Sequence, residues 1–272
     1  MSVPQSPAPP LVSPQGATWE LREIPAFSPI AWLVRGWDDV RAAPFASLFY
    51  GAAFAGMGWA LLSLYDFAYQ YVSTLAGAFL LAAPFLATGL YALSRDRERG
   101  VKPRFLASLT AWRENVGGLG IYVLVITVIF LVWARASLVT FALFSTGTMP
   151  DLKGFLAKAF SWGNIEFVIV YFAAGGLFAT IVFAVSVISV PMMLDRGNDA
   201  VSAAILSVQA LARNPGTMAV WAITIVLLTG IGLATFFVGL VITMPLIGHA
   251  TWHAYRDCIQ WGETPPASPP AT

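Results

Sequence analysis

The chain is short of charge, of cysteine and of histidine, and each shortage closes off a class of function. Only 11% of its 272 residues are Asp, Glu, Lys or Arg, against about 25% in a typical soluble domain. Such a chain cannot cover itself with a water-facing surface, and 58% of it is hydrophobic. The single cysteine, Cys258, excludes an intrachain disulfide framework and any cysteine-rich metal or iron–sulfur centre. Both histidines, His249 and His253, lie in one stretch near the end. A net charge of +1 offers no footing for nucleic acid. There is no phosphate-cradling glycine loop, no G-x-S-x-G elbow and no H-E-x-x-H zinc motif. Residues 1–27 hold no long apolar run and no basic n-region, so insertion into a membrane is expected from internal segments rather than a signal peptide.

What is present is a series of long uncharged runs. Residues 42–65, 67–94, 116–144 (interrupted by Arg135) and 162–191 (with Glu166 near its start) are each long enough to cross about 30 Å of hydrocarbon. The run from Thr217 to Tyr255 contains no Asp, Glu, Lys or Arg. As one helix it would reach about 58 Å, so it must fold back, with the break expected among Gly230, Gly232 and Gly239. Six spans follow. A polar turn is expected at Asp66–Gln70 and a loop over 145–161. Ala52, Gly56 and Ala60 form a small-residue stripe suited to close helix packing, and a second small patch runs from Ala173 to Gly176. The Pro- and Ser-rich ends, 1–27 and 261–272, read as disordered tails around a membrane domain at 28–260.

Lys and Arg set the orientation. With the N-terminus inside, 12 of the 15 fall on cytoplasmic segments, six of them between Arg95 and Arg113. Both termini are expected in the cytoplasm. That basic block suits anionic headgroups, although topology signalling accounts for it.

The chain also repeats itself. Units at about 28–99, 100–197 and 198–260 each run as a cytoplasmic amphipathic helix, a span out and a span back carrying a proline. The helices are expected at 29–40, 105–112 and 200–212, and the kinking prolines are Pro84, Pro191 and Pro245. Arg95-Asp96 follows Pro84 at the offset at which Arg256-Asp257 follows Pro245; the middle unit reads Asp195-Arg196. The expected fold is therefore an all-α membrane bundle of three parallel hairpin repeats.

Several strings, Gly36-Trp-Asp-Asp39 with Pro44 and Tyr50-Gly51, Ser189-Val-Pro-Met-Met-Leu-Asp-Arg196, Asn214-Pro215 and Gly248-His-Ala-Thr-Trp-His-Ala-Tyr-Arg256, resemble a bacterial family of predicted integral membrane proteins, domain of unknown function 2189, over about residues 28–260. The resemblance implies an inner-membrane location and supplies no activity, cofactor or substrate. Some members carry a label suggesting a cytochrome oxidase subunit, but a haem–copper core needs many histidines and this chain has two.

His249 and His253 project from one helix face, with Asp257 a turn further on. That spacing suits a transition metal or haem, but two ligands make an incomplete site. Hydrogen bonding to neighbouring helices is the preferred reading. Trp252 and Tyr255 fit an interfacial aromatic belt, and Arg256 an inner-face anchor. Arg135, inside a span, needs a partner, and Glu166 at similar depth is the expected counter-ion. The leading functional reading is a non-catalytic inner-membrane accessory or assembly protein, acting through a membrane-protein partner, a respiratory complex among them, or as a homo-oligomer. The alternative is a small-solute transporter or channel using Arg135, Glu166 and His249. A lipid-modifying or cofactor-handling enzyme built on the histidine pair comes third. No cofactor is expected.

Overall fold

The computed structural model describes residues 11–12, 18–68, 72–144 and 165–262. The expected 145–161 loop and most of both tails lie outside these residues. The described chain is almost wholly helical. Helix α1 spans Ser28–Ala42, α2 Pro44–Ala68, α3 Val72–Glu98 and α4 Phe105–Ser108. A 3-10 turn at Ala111–Asn115 leads into α5, Val116–Phe144, followed by α6, Ile165–Ser186, and α7, Ser189–Arg196. Helix α8 spans Ala200–Arg213, α9 Pro215–Ala234 and α10 Leu240–Cys258.

Among the described residues four segments are long and apolar enough to cross a membrane: Pro44–Leu64, Phe105–Phe144, Ile165–Arg196 and Pro215–Ala234. The two returning helices expected to complete six spans, α3 and α10, are 27 and 19 residues long. The second half of α10 carries His249, His253, Arg256 and Asp257, which lowers its apolar character. Pro84 and Pro245 sit inside these helices.

Several expectations need correction. Helix α2 continues through Asp66 to Ala68 rather than turning at Asp66. The second surface helix is only α4 plus the 3-10 turn. Pro191 does not kink a span: the helix breaks at Val187–Ile188, and Pro191 falls in the first turn of α7, where no amide donor is needed. The break in the last uncharged run lies at Thr235–Gly239. There Phe236 and Phe237 adopt positive φ of 53° and 66°, and the Thr235 hydroxyl accepts from the Gly239 amide at 2.9 Å. The stripe Ala52, Gly56, Ala60 is exposed, and a Cβ on Gly56 would meet nothing within 4 Å.

The tails also change. Leu11–Val12, Thr18–Leu21 and Ile259–Trp261 (β1, β2 and β3) form a three-stranded antiparallel sheet in which Trp19 pairs with Trp261. Behind it, Asn214 accepts from the Ile24 amide at 2.8 Å and donates to the Arg22 carbonyl at 2.9 Å. Thr217 donates to the Ile24 carbonyl at 2.9 Å. Residues 18–26 are thereby stitched to the start of α9 through the Asn214-Pro215 corner.

Helix α10 is the hub, packed by α1, α2, α3 and α9. Glycines let these backbones close up. A Cβ on Gly51 of α2 would lie 2.0 Å from the Val241 carbonyl oxygen, one on Gly36 of α1 2.9 Å from the Ala250 nitrogen, and one on Gly248 2.6 Å from Leu90 Cδ1. Helices α5 and α6 pair with each other, and neither packs extensively against α9 among the described residues.

Candidate functional site

The close approach of α1, α2 and α3 to α10 buries a polar cluster at one end of the bundle. Its centre is Asp39, on the face of α1 that also carries Trp32, Gly36 and Val40; all four are buried. Ser47 comes from the first turn of α2, Ser94 and Arg97 from the last turns of α3, and His249 and His253 from α10. Ser94 Oγ donates to Asp39 Oδ2 at 2.6 Å and lies 2.7 Å from His249 Nδ1. Ser47 Oγ lies 2.9 Å from His249 Nε2, His253 Nε2 is 2.9 Å from Asp39 Oδ2, and Arg97 pairs with Asp39 Oδ1.

Donor counting fixes the direction of this chain. Ser94 has one proton and gives it to the carboxylate, so towards His249 it accepts. His249 Nδ1 therefore carries a proton, and in the neutral ring Nε2 accepts from Ser47. The hydrogen bonds run one way, Ser47 to His249 to Ser94 to Asp39, and end on a carboxylate that His253 and Arg97 also serve. Burial by itself raises the Asp39 carboxyl, but the hydrogen bonds from His253, Ser94 and Arg97 outweigh it and hold the group below its ordinary 3.8.

Beside this cluster lies an ion-pair layer. Asp257 accepts from Trp32 Nε1 at 2.7 Å and pairs with Arg35. Glu98 accepts from Trp252 Nε1 and Arg256 Nε, both at 2.8 Å. Asp195 accepts from the Tyr255 hydroxyl at 2.9 Å and faces Arg99, Arg196 and Arg256 at 3.2, 3.3 and 3.5 Å. Arg95 makes two 2.7 Å hydrogen bonds to Glu114 and a third, at 2.9 Å, to the Leu194 carbonyl. Of the residues that end the three expected units, Arg196 and Arg256 thus meet at Asp195, and Arg95 reaches the neighbouring Leu194 carbonyl.

This geometry revises several site readings. Trp252 and Tyr255 are fully buried, so they form no interfacial belt; each serves a carboxylate. Arg256 does not reach for headgroups but holds Glu98 and Asp195. No ion pair joins Arg135 to Glu166 among the described residues, and both are exposed. Neither bonds to His249 among the described residues; its ring nitrogens face Ser47 and Ser94. His249 and His253 both turn towards Asp39 and not towards a common ligand position, with both His249 nitrogens engaged by serines. Among the described residues no group of three or more His, Cys, Asp or Glu is arranged to hold a metal ion.

Ser47, Ser94, Arg97 and Glu98 were not singled out from sequence, and Asp39 and Asp195 entered there only within the family strings and the repeat pattern, with no site role. The signal for Asp39 was the second stripe on α1, Trp32, Gly36 and Asp39–Val40 at helical spacing, which the more obvious Ile30, Leu33, Val34, Trp37 face obscured.

One further feature is an apolar cleft of about 1050 Å³ between α5 and α6 on one side and α9 on the other. Ile129, Phe130, Gly176, Ala179, Ala222 and Val226 are among its lining residues.

Long apolar helices whose polar groups are gathered at one end define an integral membrane protein of the all-helical class. Residues 71–195 match the family described as predicted integral membrane protein (DUF2189), the family read from the sequence strings. The matched segment includes Ser189–Asp195, while the other strings lie outside it and gain their meaning from the packing around α10. No curated protein and no solved structure matches the chain.

Proposed function

We propose that this is a non-catalytic accessory or assembly protein of the bacterial inner membrane, built as six spans in three hairpin repeats with both termini cytoplasmic. It acts by holding another membrane protein. Placement of most Lys and Arg on one side supports the orientation, and the succession of short helix, helix out and helix back supports the repeats.

The observation that carries the partner reading is the apolar cleft. The first and third units close on each other through glycine contacts, while the second hairpin stands away from α9. Small residues on both walls, Gly175, Gly176 and Ala179 on α6 and Ala219 and Ala222 on α9, let a foreign helix backbone come close. The polar cluster supports the same view: its donors and acceptors are spent on each other, which serves rigidity rather than turnover. We propose no resident cofactor.

The test is a pulldown in mild detergent from the native membrane. A stoichiometric membrane-protein partner is expected, and Gly176→Phe with Ala222→Phe should release it while the protein stays folded. Absence of a stoichiometric partner, or undiminished binding to the filled cleft, overturns the proposal. Metal analysis and a visible-range spectrum test the cofactor reading; stoichiometric metal or a haem band would overturn it.

A further inference from the structure

The basic block read from the sequence divides into two sets in space. Arg95, Arg97 and Arg99 are each held by a carboxylate: Glu114, Asp39 and Asp195. Arg113 lies over the Trp112 ring at 5.3 Å, and the rest of the same stretch, Lys102 and Arg104, has no ion-pair partner among the described residues; neither has Arg41 at the end of α1. Asp38, the unpaired acid nearest Arg41 in sequence, makes no ion pair either among the described residues.

These free cations gather at one place. Phe45, in the first turn of α2, meets Phe105, the first residue of α4, with ring centroids 5.3 Å apart, and Phe49 meets the same ring at 5.0 Å. Arg41 stands at the end of α1, four residues before Phe45 and across the Ala43 break that separates α1 from α2; Arg104 is bonded to Phe105, and Lys102 is two residues further back. The Arg41 guanidinium also covers the Trp37 ring at 5.5 Å. The apolar members face outward: Phe45 is 72% and Leu106 76% exposed.

We propose that this patch is a binding site for an anionic phospholipid of the cytoplasmic leaflet. The patch sits where span α2 begins, at headgroup depth. Exposed rings beside cations without counter-ions match a molecule with acyl chains beside a phosphate. The aromatic cluster lies against the chains, and Arg41, Lys102 and Arg104 face the headgroup. The inference rests on the inward placement of the termini, not on any protein partner, so it is read out separately from the pulldown.

The test is native mass spectrometry of the detergent-purified protein with phosphatidylglycerol or phosphatidylcholine of identical acyl chains. Wild type should retain phosphatidylglycerol in preference. A cation near an anionic surface is worth about five-fold in binding, so Arg41→Gln, Lys102→Gln and Arg104→Gln together should cut the preference by roughly ten- to a hundred-fold. These side chains hold no carboxylate, so the variant is expected to fold. A control removing equal charge elsewhere at residues that likewise hold no carboxylate among the described residues, Arg22→Gln, Arg113→Gln and Arg135→Gln, should keep the preference. Equal retention of the two lipids by wild type overturns the site whatever the variants do, and so does an equal loss in the control.

Discussion

Replacing Asp39 with Asn tests whether the polar cluster holds the bundle together. The substitution keeps the shape and removes the charge. Asp39 is 4% exposed and accepts from Ser94 and His253 on one oxygen and from Arg97 on the other. An amide has one acceptor and one donor end, so a donor must face either Arg97 or the Ser94–His253 pair. Breaking a buried charge pair costs about 3–5 kcal/mol. The low end, about 3 kcal/mol, applies here because Arg97 is 40% exposed and turns to water when released. For a chain of this size each kcal/mol shifts Tm by about 2–4 °C, which makes the expected drop roughly 6–12 °C. The assay is thermal unfolding in mild detergent at fixed scan rate, with Asp38→Asn as control. Asp38 makes no ion pair among the described residues, so its variant should stay within about 0.5 kcal/mol of wild type. Equal shifts in the two variants would refute the assignment of Asp39 as the cluster's anchor.

Three other outcomes follow from the same geometry. Gly51→Ala drives a Cβ to 2.0 Å from the Val241 carbonyl oxygen, while Gly56→Ala meets nothing; the first should cost about 1–3 kcal/mol and the second should be neutral or stabilising by up to about 1 kcal/mol, read as paired melting curves. Asp39 is held below its ordinary 3.8 in the folded state, so its contribution is fully present above 3.8 and is lost as pH falls from there through the lowered value. Wild type should therefore lose stability over that acid window by a component that Asp39→Asn lacks, measured as Tm against pH. Cys258 is buried, so a membrane-permeant maleimide should leave the folded protein unlabelled and label it after denaturation in SDS; rapid labelling of native protein would contradict the packing of the α10–β3 corner.

How far the sequence could be read depends on the kind of force involved. Long uncharged runs report hydrophobic burial directly, so the helices at 44–68, 116–144 and 215–234 were visible within a few residues. The fold-back near Gly239 was visible too, because a run nearly twice the bilayer thickness has no other solution. Pairings between distant helices were not. Asp39 and His249 are 210 positions apart, and only the packing of α1 on α10 brings them together. Composition also misled at Trp252 and Tyr255. Aromatic residues near a helix end read as interfacial, yet here neighbouring carboxylates, Glu98 and Asp195, take their polar atoms and let the rings be buried. Arg135 and Glu166 shared an expected depth, yet no ion pair joins them among the described residues, and depth alone does not make a pair. The strings that carried the family resemblance were better guides than their spacing suggested: Gly36 and Gly51 are points where a helix meets the α10 backbone, and Gly248 makes room for the Leu90 side chain.

The distribution of polar contacts bears on the proposal that this protein acts by holding a partner. Buried polar networks in membranes are expensive to leave half-satisfied, and this one is nearly closed: serine, histidine and carboxylate form a one-way chain, and the surrounding arginines neutralise the remaining acids. A network of this kind favours one helix arrangement over its neighbours, because sliding α1 or α2 by a turn along α10 would strand Asp39 and His249 together. The outer half of the bundle has no such lock. There α5 and α6 lean away from α9 across an apolar cleft whose walls carry glycine and alanine. On the proposed reading, rigidity is concentrated at the polar end of the bundle and adaptability is left around the apolar cleft, a division that suits a membrane scaffold. A catalyst would place its titratable groups against the open cavity, whereas here the histidines and carboxylates of the cluster are packed against one another.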